Sequence, residues 1–178
     1  NKCRDIRNSS NREATKKLAI IPHKFAEIRF KNTNAIIMPR VSSERRNYIP
    51  TGFLDNTNVI SDSALAIFDA KEWLLGVLSS NMHMVWVKAI SGYLGTSIRY
   101  SATLTYNTFP FPKISQTQKE KIEELVNIIL DERDKEYLKT LAELYDPDKM
   151  PDGLKKAHEK LDLYIETIYR DKPFSSDE

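Results

Sequence analysis

Apolar positions along the chain change period twice, and the changes outline its elements. Residues 9–30, SSNREATKKLAIIPHKFAEIRF, allow a short helix capped by Ser9 or Ser10 and carrying Ala14, Leu18 and Ala19. Pro22 interrupts it. The run AIIMPRV at 35–41 predicts a strand with Pro39 at its edge or end, and the polar SSERRN that follows reads as a turn. YIPTGFL at 48–54 predicts a second strand with a turn or bulge at Pro-Thr-Gly, and VISDSALAIF at 59–68 a third. From Ala70 the spacing becomes helical, through Trp73, Leu74, Val77 and Leu78. Residues 79–81 break that helix and cap another, whose face is Met82, Val85, Trp86, Ala89 and Ile90 and which Gly92 ends. TSIRYSATLTY at 96–106 alternates and predicts a strand; NTFPFP after it is irregular.

Beyond residue 113 the pattern is helical throughout. Thr117 caps a helix over 118–137 with one stripe, Ile122, Leu125, Val126 and Ile129. Residues 138–145 make a short helical turn that Asp146-Pro147 breaks, and Pro151 starts a last helix through Leu154, Ala157, Leu161, Tyr164, Ile165 and Ile168. The tail PFSSDE is expected to fray. The reading is α+β: a mixed sheet core with packed helices over 1–113, then a C-terminal helical hairpin over 114–178. No internal repeat is visible.

With 178 residues, 40 % of them hydrophobic and 29 % charged, the chain has the composition of a globular protein and not of a disordered one. No apolar stretch is long enough to span a membrane. One cysteine, Cys3, excludes an internal disulfide framework and multi-cysteine metal sites, so a reducing, cytoplasmic setting is expected. The opening Asn1-Lys2-Cys3 carries neither Met nor a signal-peptide pattern and reads as part of a longer polypeptide.

The net charge of +2 hides an uneven split. Residues 1–58 carry 12 Lys and Arg against 5 Asp and Glu, whereas residues 115–178 carry 11 against 17. A basic first third suits a polyanion, because each neutralised phosphate releases a counterion. Chance asymmetry on a solvated surface explains the same count equally well. There is no Gly-rich phosphate loop, no nucleophile elbow and no Asn-Pro-Pro-aromatic tetrapeptide; His23, His83 and His158 lack paired ligand spacing. On its own the chain does not read as an enzyme.

Two constellations remain. Arg40, Arg45 and Arg46 surround Ser42 and Ser43, guanidinium and hydroxyl groups that bind phosphate oxygens or, for Arg, guanine. Surface ion pairs, with Glu44 among others, are the plain alternative. In the second, alternation places Gly95, Ser97 and Arg99 on one strand face. Arg99 would reach base edges there, with small neighbours allowing close approach; an Arg on a solvated strand is the plain reading.

The blocks PRVSSERRNYIPTGFL (39–54), ISDSALAIF (60–68), LSSNMHMVWVKAISG (78–92), RYSATLTYNTFPFP (99–112) and LYDPDKMPDGLKKAHEKLD (144–162) occur in order. Together they resemble the C-terminal end of MmeI-like, type IIL restriction–modification DNA methyltransferases, over nearly the whole chain. The resemblance implies a target recognition domain, incomplete at its N-terminus (1–113), and a small C-terminal helical region (114–178). The parent polypeptide would carry an adenine-N6 methyltransferase using S-adenosylmethionine and, in some members, a nuclease. No cofactor is expected within this segment. The expected partners are double-stranded DNA and the methyltransferase domain of the same polypeptide. Specificity would lie at Gly95, Ser97 and Arg99 and near Asp62 and Ser63, with the block holding Arg40, Ser42, Ser43, Arg45 and Arg46 gripping DNA. Gly95 and Ser97 are not the long charged readers common at such positions. Two rivals stand beside this reading: an interaction module working through the amphipathic hairpin, and an RNA-binding domain, which the core-facing tryptophans disfavour.

Overall fold

The computed structural model describes residues 2–172 and Phe174 and forms two units, Asn1–Lys31 and Asn32–Glu178. Most of the expected frayed tail lies outside the described residues.

In the first unit, α1 (Lys2–Asn8) and α2 (Glu13–Lys17) are followed by a 3₁₀ turn over Leu18–Ile20. The N-cap of α2 is Arg12, not either serine, and Ser10 Oγ accepts from the Arg12 N–H instead. Helical structure stops before Pro22, where the preceding residue is pushed out of the α region. Polar staples hold this unit: the Arg7 guanidinium donates to the carbonyls of Leu18, Ile21 and Lys24 at 2.6–3.0 Å.

The second unit is built on two small antiparallel sheets. One, in the order β3-β1-β4, joins β1 (Ala35–Pro39) to β3 (Gly52–Leu54) and β4 (Ala64–Phe68). The other, in the order β2-β6-β5, joins β2 (Val41–Ser43), β6 (Ser97–Arg99) and β5 (Gly92–Leu94). β1 and β2 follow one another, so Arg40 is the seam where the chain leaves one sheet for the other.

Several expected strands shorten for identifiable reasons. Of 48–54 only 52–54 is strand; Tyr48, Ile49 and Thr51 are buried as a connecting segment with bonds to helices. Of 59–68 only 64–68 pairs, because 55–58 fold onto the Asp55 carboxylate, which accepts from Thr57 and Asn58. The expected strand over 96–106 ends at Arg99, and Ala102–Tyr106 form a π-helical turn. Hydroxyls explain that reversal. Ser101 Oγ accepts from the Leu104 N–H, and the buried Thr105 Oγ1 accepts from the Ser101 N–H and bonds Ser91.

Helices α3 (Glu72–Leu78), α4 (Asn81–Ile90), α5 (Gln116–Asp134), α6 (Leu141–Leu144) and α7 (Asp152–Tyr169) complete the unit. Ser115, not Thr117, caps α5 in a reciprocal capping box with Gln118. The α5 stripe Ile122, Leu125, Val126 and Ile129 is buried, and α5 packs on both α3 and α7. Burial of those four side chains contributes on the order of 6–12 kcal/mol before ordering entropy. The stripe the interaction-module rival needs is therefore spent inside the fold. One core runs from Ile36, Met38 and Ile49 through Leu75, Leu78 and Met84 to Leu154, Leu161 and Ile165.

α3 approaches α5 at Gly76, where an added Cβ would lie 2.4 Å from Ile122 Cγ2 and 2.9 Å from Val126 Cγ2. Those methyls branch close to the α5 backbone and cannot swing away. Gly76→Ala gains about 1 kcal/mol of helix propensity but incurs roughly 2 kcal/mol of overpacking. A net loss of about 1 kcal/mol and a melting temperature lower by about 2–4 °C are expected. A thermal melt unchanged from the parent sequence would show that the helices can separate without cost.

Most buried polar side chains are paired, with Arg40 Nε and His158 Nδ1 the exceptions among the described residues. His83 Nδ1 donates to the Leu78 carbonyl at 2.8 Å, and Tyr100 donates to Nε2 at 3.0 Å, as expected of a core histidine. Phe109 packs edge-on against His83 and Trp86, both on α4. Arg133 is buried; it donates to Thr51 O at 2.9 Å and, from Nε and Nη2, to Tyr145 Oη. With both those bonds incoming, Tyr145 gives its proton to His158 Nε2 at 2.7 Å. Tyr48 stacks on His158 at 4.1 Å and donates to Asp162 at 2.7 Å.

Candidate nucleic-acid interface

The open face of the β2-β6-β5 sheet is built by strand alternation. Ile98 is buried while Ser97 and Arg99 point the other way. In register, Arg99 lies between Val41 on β2 and Gly92 on β5, and Ser97 between Ser43 and Leu94. Val41 is 47 % and Leu94 64 % exposed, so the face mixes one cation, two hydroxyls and apolar side chains. Gly92 is exposed, and a Cβ built there meets nothing within 4 Å. Among the described residues the Arg99 side chain makes no hydrogen bond or ion pair. A guanidinium on a central strand, flanked by a glycine and uncommitted, is free to address an external acceptor.

Gly95 does not share this face. It opens the two-residue turn between Leu94 and Ser97 with φ +61°, a left-handed conformation that glycine adopts without a Cβ penalty. Its smallness therefore serves the hairpin, which accounts for the absence of a long reader at that position. Ser42 is also displaced from the expected set. It pairs with Ile98 on the covered side of the sheet, is 3 % exposed, and its Oγ accepts from Arg46 Nη1.

Arg40, Asp62 and Ser63 do come together, at the seam between the sheets. Arg40 Nη2 donates to Asp62 Oδ1 at 2.9 Å. The Arg40 N–H bonds the Ser63 carbonyl at 3.0 Å, and the Arg40 carbonyl accepts from the Tyr100 N–H at 2.8 Å. Backbone bonds thus fix the Arg40 main chain, while Asp62 aims its side chain. Ser63 Oγ is bonded to Ser61 Oγ at 2.6 Å on the exposed loop before β4.

The loop after β2 is less available than its charge suggests. Arg45 is exposed but paired with Asp148 at 2.7 Å. That partner comes from the acidic final third, so the two ends of the charge split meet here. Arg46 is committed internally: Nε donates to Tyr145 O at 3.2 Å and Nη2 to Ala142 O at 3.0 Å. The expected arginine cluster therefore resolves into one seam residue, one exposed ion pair and one internal staple. Sequence reading missed Val41, Gly92 and Leu94; their signal was the alternation of β2 and β5, each only three residues long. Among the described residues no group of three His, Cys, Asp or Glu is arranged for a metal, and no helix is long and apolar enough to cross a membrane.

Comparison with known proteins gives consistent likenesses. A family model described as "MmeI, target recognition domain" matches residues 1–113, and one described as "MmeI, C-terminal domain" matches residues 114–178. The chain is 49 % identical over 172 residues to DNA methyltransferase A of Bacillus subtilis (strain 168), covering 97 % of this chain and 20 % of that protein. It also matches a solved structure of the type IIL restriction–modification enzyme MmeI in complex with DNA, with a TM-score of 0.91 and 37 % identity. That match covers 98 % of this chain and 23 % of the other. The chain thus spans about a fifth of the length of its curated relative.

Proposed function

Because the chain belongs to the MmeI family, spanning its target recognition and C-terminal domains, we propose that it reads double-stranded DNA in sequence-specific fashion for a larger adenine-N6 methyltransferase of a restriction–modification system. The observation that carries this reading is the uncommitted Arg99 on the open β2-β6-β5 face, beside Gly92 and flanked by Ser43 and Ser97. Arginine presents a fork that matches guanine O6 and N7 in the major groove. Arg40 is the second base reader, because the Asp62 carboxylate orients its guanidinium and offsets its charge. A phosphate contact needs charge and little orientation; a base contact depends on orientation. Ser43, Ser97 and Ser63 supply hydroxyls around these two, and Val41 and Leu94 suit thymine methyl groups.

The chemistry would occur elsewhere in the polypeptide. S-adenosylmethionine, held by the methyltransferase portion, would supply the methyl group to an adenine turned out of the stack. The residues of this chain bind and orient the duplex so that the correct adenine is offered.

Arg45 is assigned to the phosphate backbone, releasing Asp148 on contact. Arg45→Ala in the intact parent is expected to weaken binding to all sequences alike and to lower the slope of log K against log salt by about one. Binding measured by anisotropy across a salt series reads this directly, and an unaltered slope removes Arg45 from the interface. For the function as a whole, the intact parent is expressed in a host without DNA methylation, and modified adenines are mapped by single-molecule sequencing. One defined motif carrying N6-methyladenine is expected. A folded parent that binds S-adenosylmethionine and leaves no modified adenine would count against the recognition role.

A further inference from the structure

Resting on the DNA-recognition reading above, we infer that Arg46 is a positioning residue through which the C-terminal helices set the geometry of the DNA-reading sheet. All three of its guanidinium nitrogens are engaged inside the chain, by Tyr145 O, Ala142 O and Ser42 Oγ. Three of its five N–H donors are thereby used within the chain. The two carbonyls belong to the end of α6, which has only four residues, so its final carbonyls have no helical donors. Arg46 supplies them, and its charge suits that end of the helix.

The staple is one side of a closed bracket. The Tyr145 side chain accepts from Arg133, and Arg133 donates to the Thr51 carbonyl. Residues 46–51 are thereby held at both ends by 133–145. That segment joins β2, an edge of one sheet, to β3, an edge of the other. The seam between those sheets is Arg40, and β2 lies directly beside the strand that carries Arg99. Loosening the bracket therefore shifts the two readers relative to one another without removing either.

The test uses the intact parent carrying Arg46→Ala or Arg46→Lys. The measured quantity is the ratio of methylation rates at the full motif and at sites with one mismatch. That ratio does not depend on how much enzyme is folded. For Arg46→Ala it is expected to fall about tenfold at the base pairs that Arg99→Ala and Arg40→Ala also relax. The salt slope of binding is expected to stay as in the wild type. Lysine recovers part of the ratio, because an ammonium cannot bond both carbonyls in a fork; it also carries the test should the alanine variant fail to fold. A uniform loss with an unchanged ratio, or a lower salt slope with an unchanged ratio, overturns the inference; the second outcome would make Arg46 a phosphate contact. A wild-type parent with no methylated motif sinks the recognition reading and this inference with it. A wild-type motif with an unchanged ratio in both variants sinks the inference alone.

Discussion

Arg99→Ala in the intact parent is expected to relax discrimination at one base pair by roughly 1–3 kcal/mol, about five- to 150-fold. The other positions of the motif keep their selectivity. The size follows from what is lost. The proposed forked guanidinium contact would go, while the sheet beneath it stays intact, because the Arg99 side chain is exposed and has no partner in the fold. Methylation profiling of the variant beside the wild type reads the change position by position. Selectivity lost evenly at every position would assign Arg99 a general electrostatic role instead. An unchanged profile would move the reading function to the Arg40–Asp62 seam.

Acidification destabilises the chain more than any single substitution discussed here. Burial holds His83 down at about 4, against a weaker opposing bond to the Leu78 carbonyl. Burial and then the Arg133 charge hold His158 at about 3. Both histidines fold neutral, so their contribution is complete above the unfolded value and is lost as pH falls below it. At pH 5 the pair costs roughly 4 kcal/mol. Asp162 acts in the opposite sense. Burial raises it to about 6, against bonds from the Asn81 N–H and Tyr48. Folding therefore takes up a proton there as pH falls, which returns about 1 kcal/mol at pH 5. The net expectation is a loss of about 3 kcal/mol between pH 7.5 and 5. Urea midpoints followed by circular dichroism at the two pH values measure it. In Asp162→Asn the loss deepens by about 1 kcal/mol, since the compensating proton is gone. Equal midpoints at both pH values would mean that one of these rings is hydrated or charged in the folded chain.

Patterning made the helices legible and the short strands hard to place. The α5 and α7 stripes repeat over about five turns each, long enough for the period to be unambiguous. A strand of three residues offers one alternation and no more. The stretch 96–106 looks like a strand because Thr, Ile and Tyr alternate in it, yet the hydroxyls of Ser101 and Thr105 satisfy backbone and buried groups locally and turn the chain after Arg99. Arg133 extends the buried α5 stripe, standing four residues after Ile129; its spacing signals burial although its charge type does not. For the interface, alternation placed Ser97 and Arg99 together. It could not show that Gly95 is spent on a turn, or that Arg46 has carbonyl acceptors nearly 100 residues away.

The seam at Arg40 has a consequence for how such a domain changes over generations. Its fold-holding bonds are made by main-chain atoms, the Arg40 N–H to Ser63 and the Arg40 carbonyl to Tyr100, and any residue type except proline can make both. The Arg99 side chain likewise contributes nothing to the core. Side-chain identity at these positions is largely uncoupled from folding, so under the proposed reading mutation would explore new target sequences there with little penalty in stability, and a lineage built on this scaffold would drift between targets through viable intermediates.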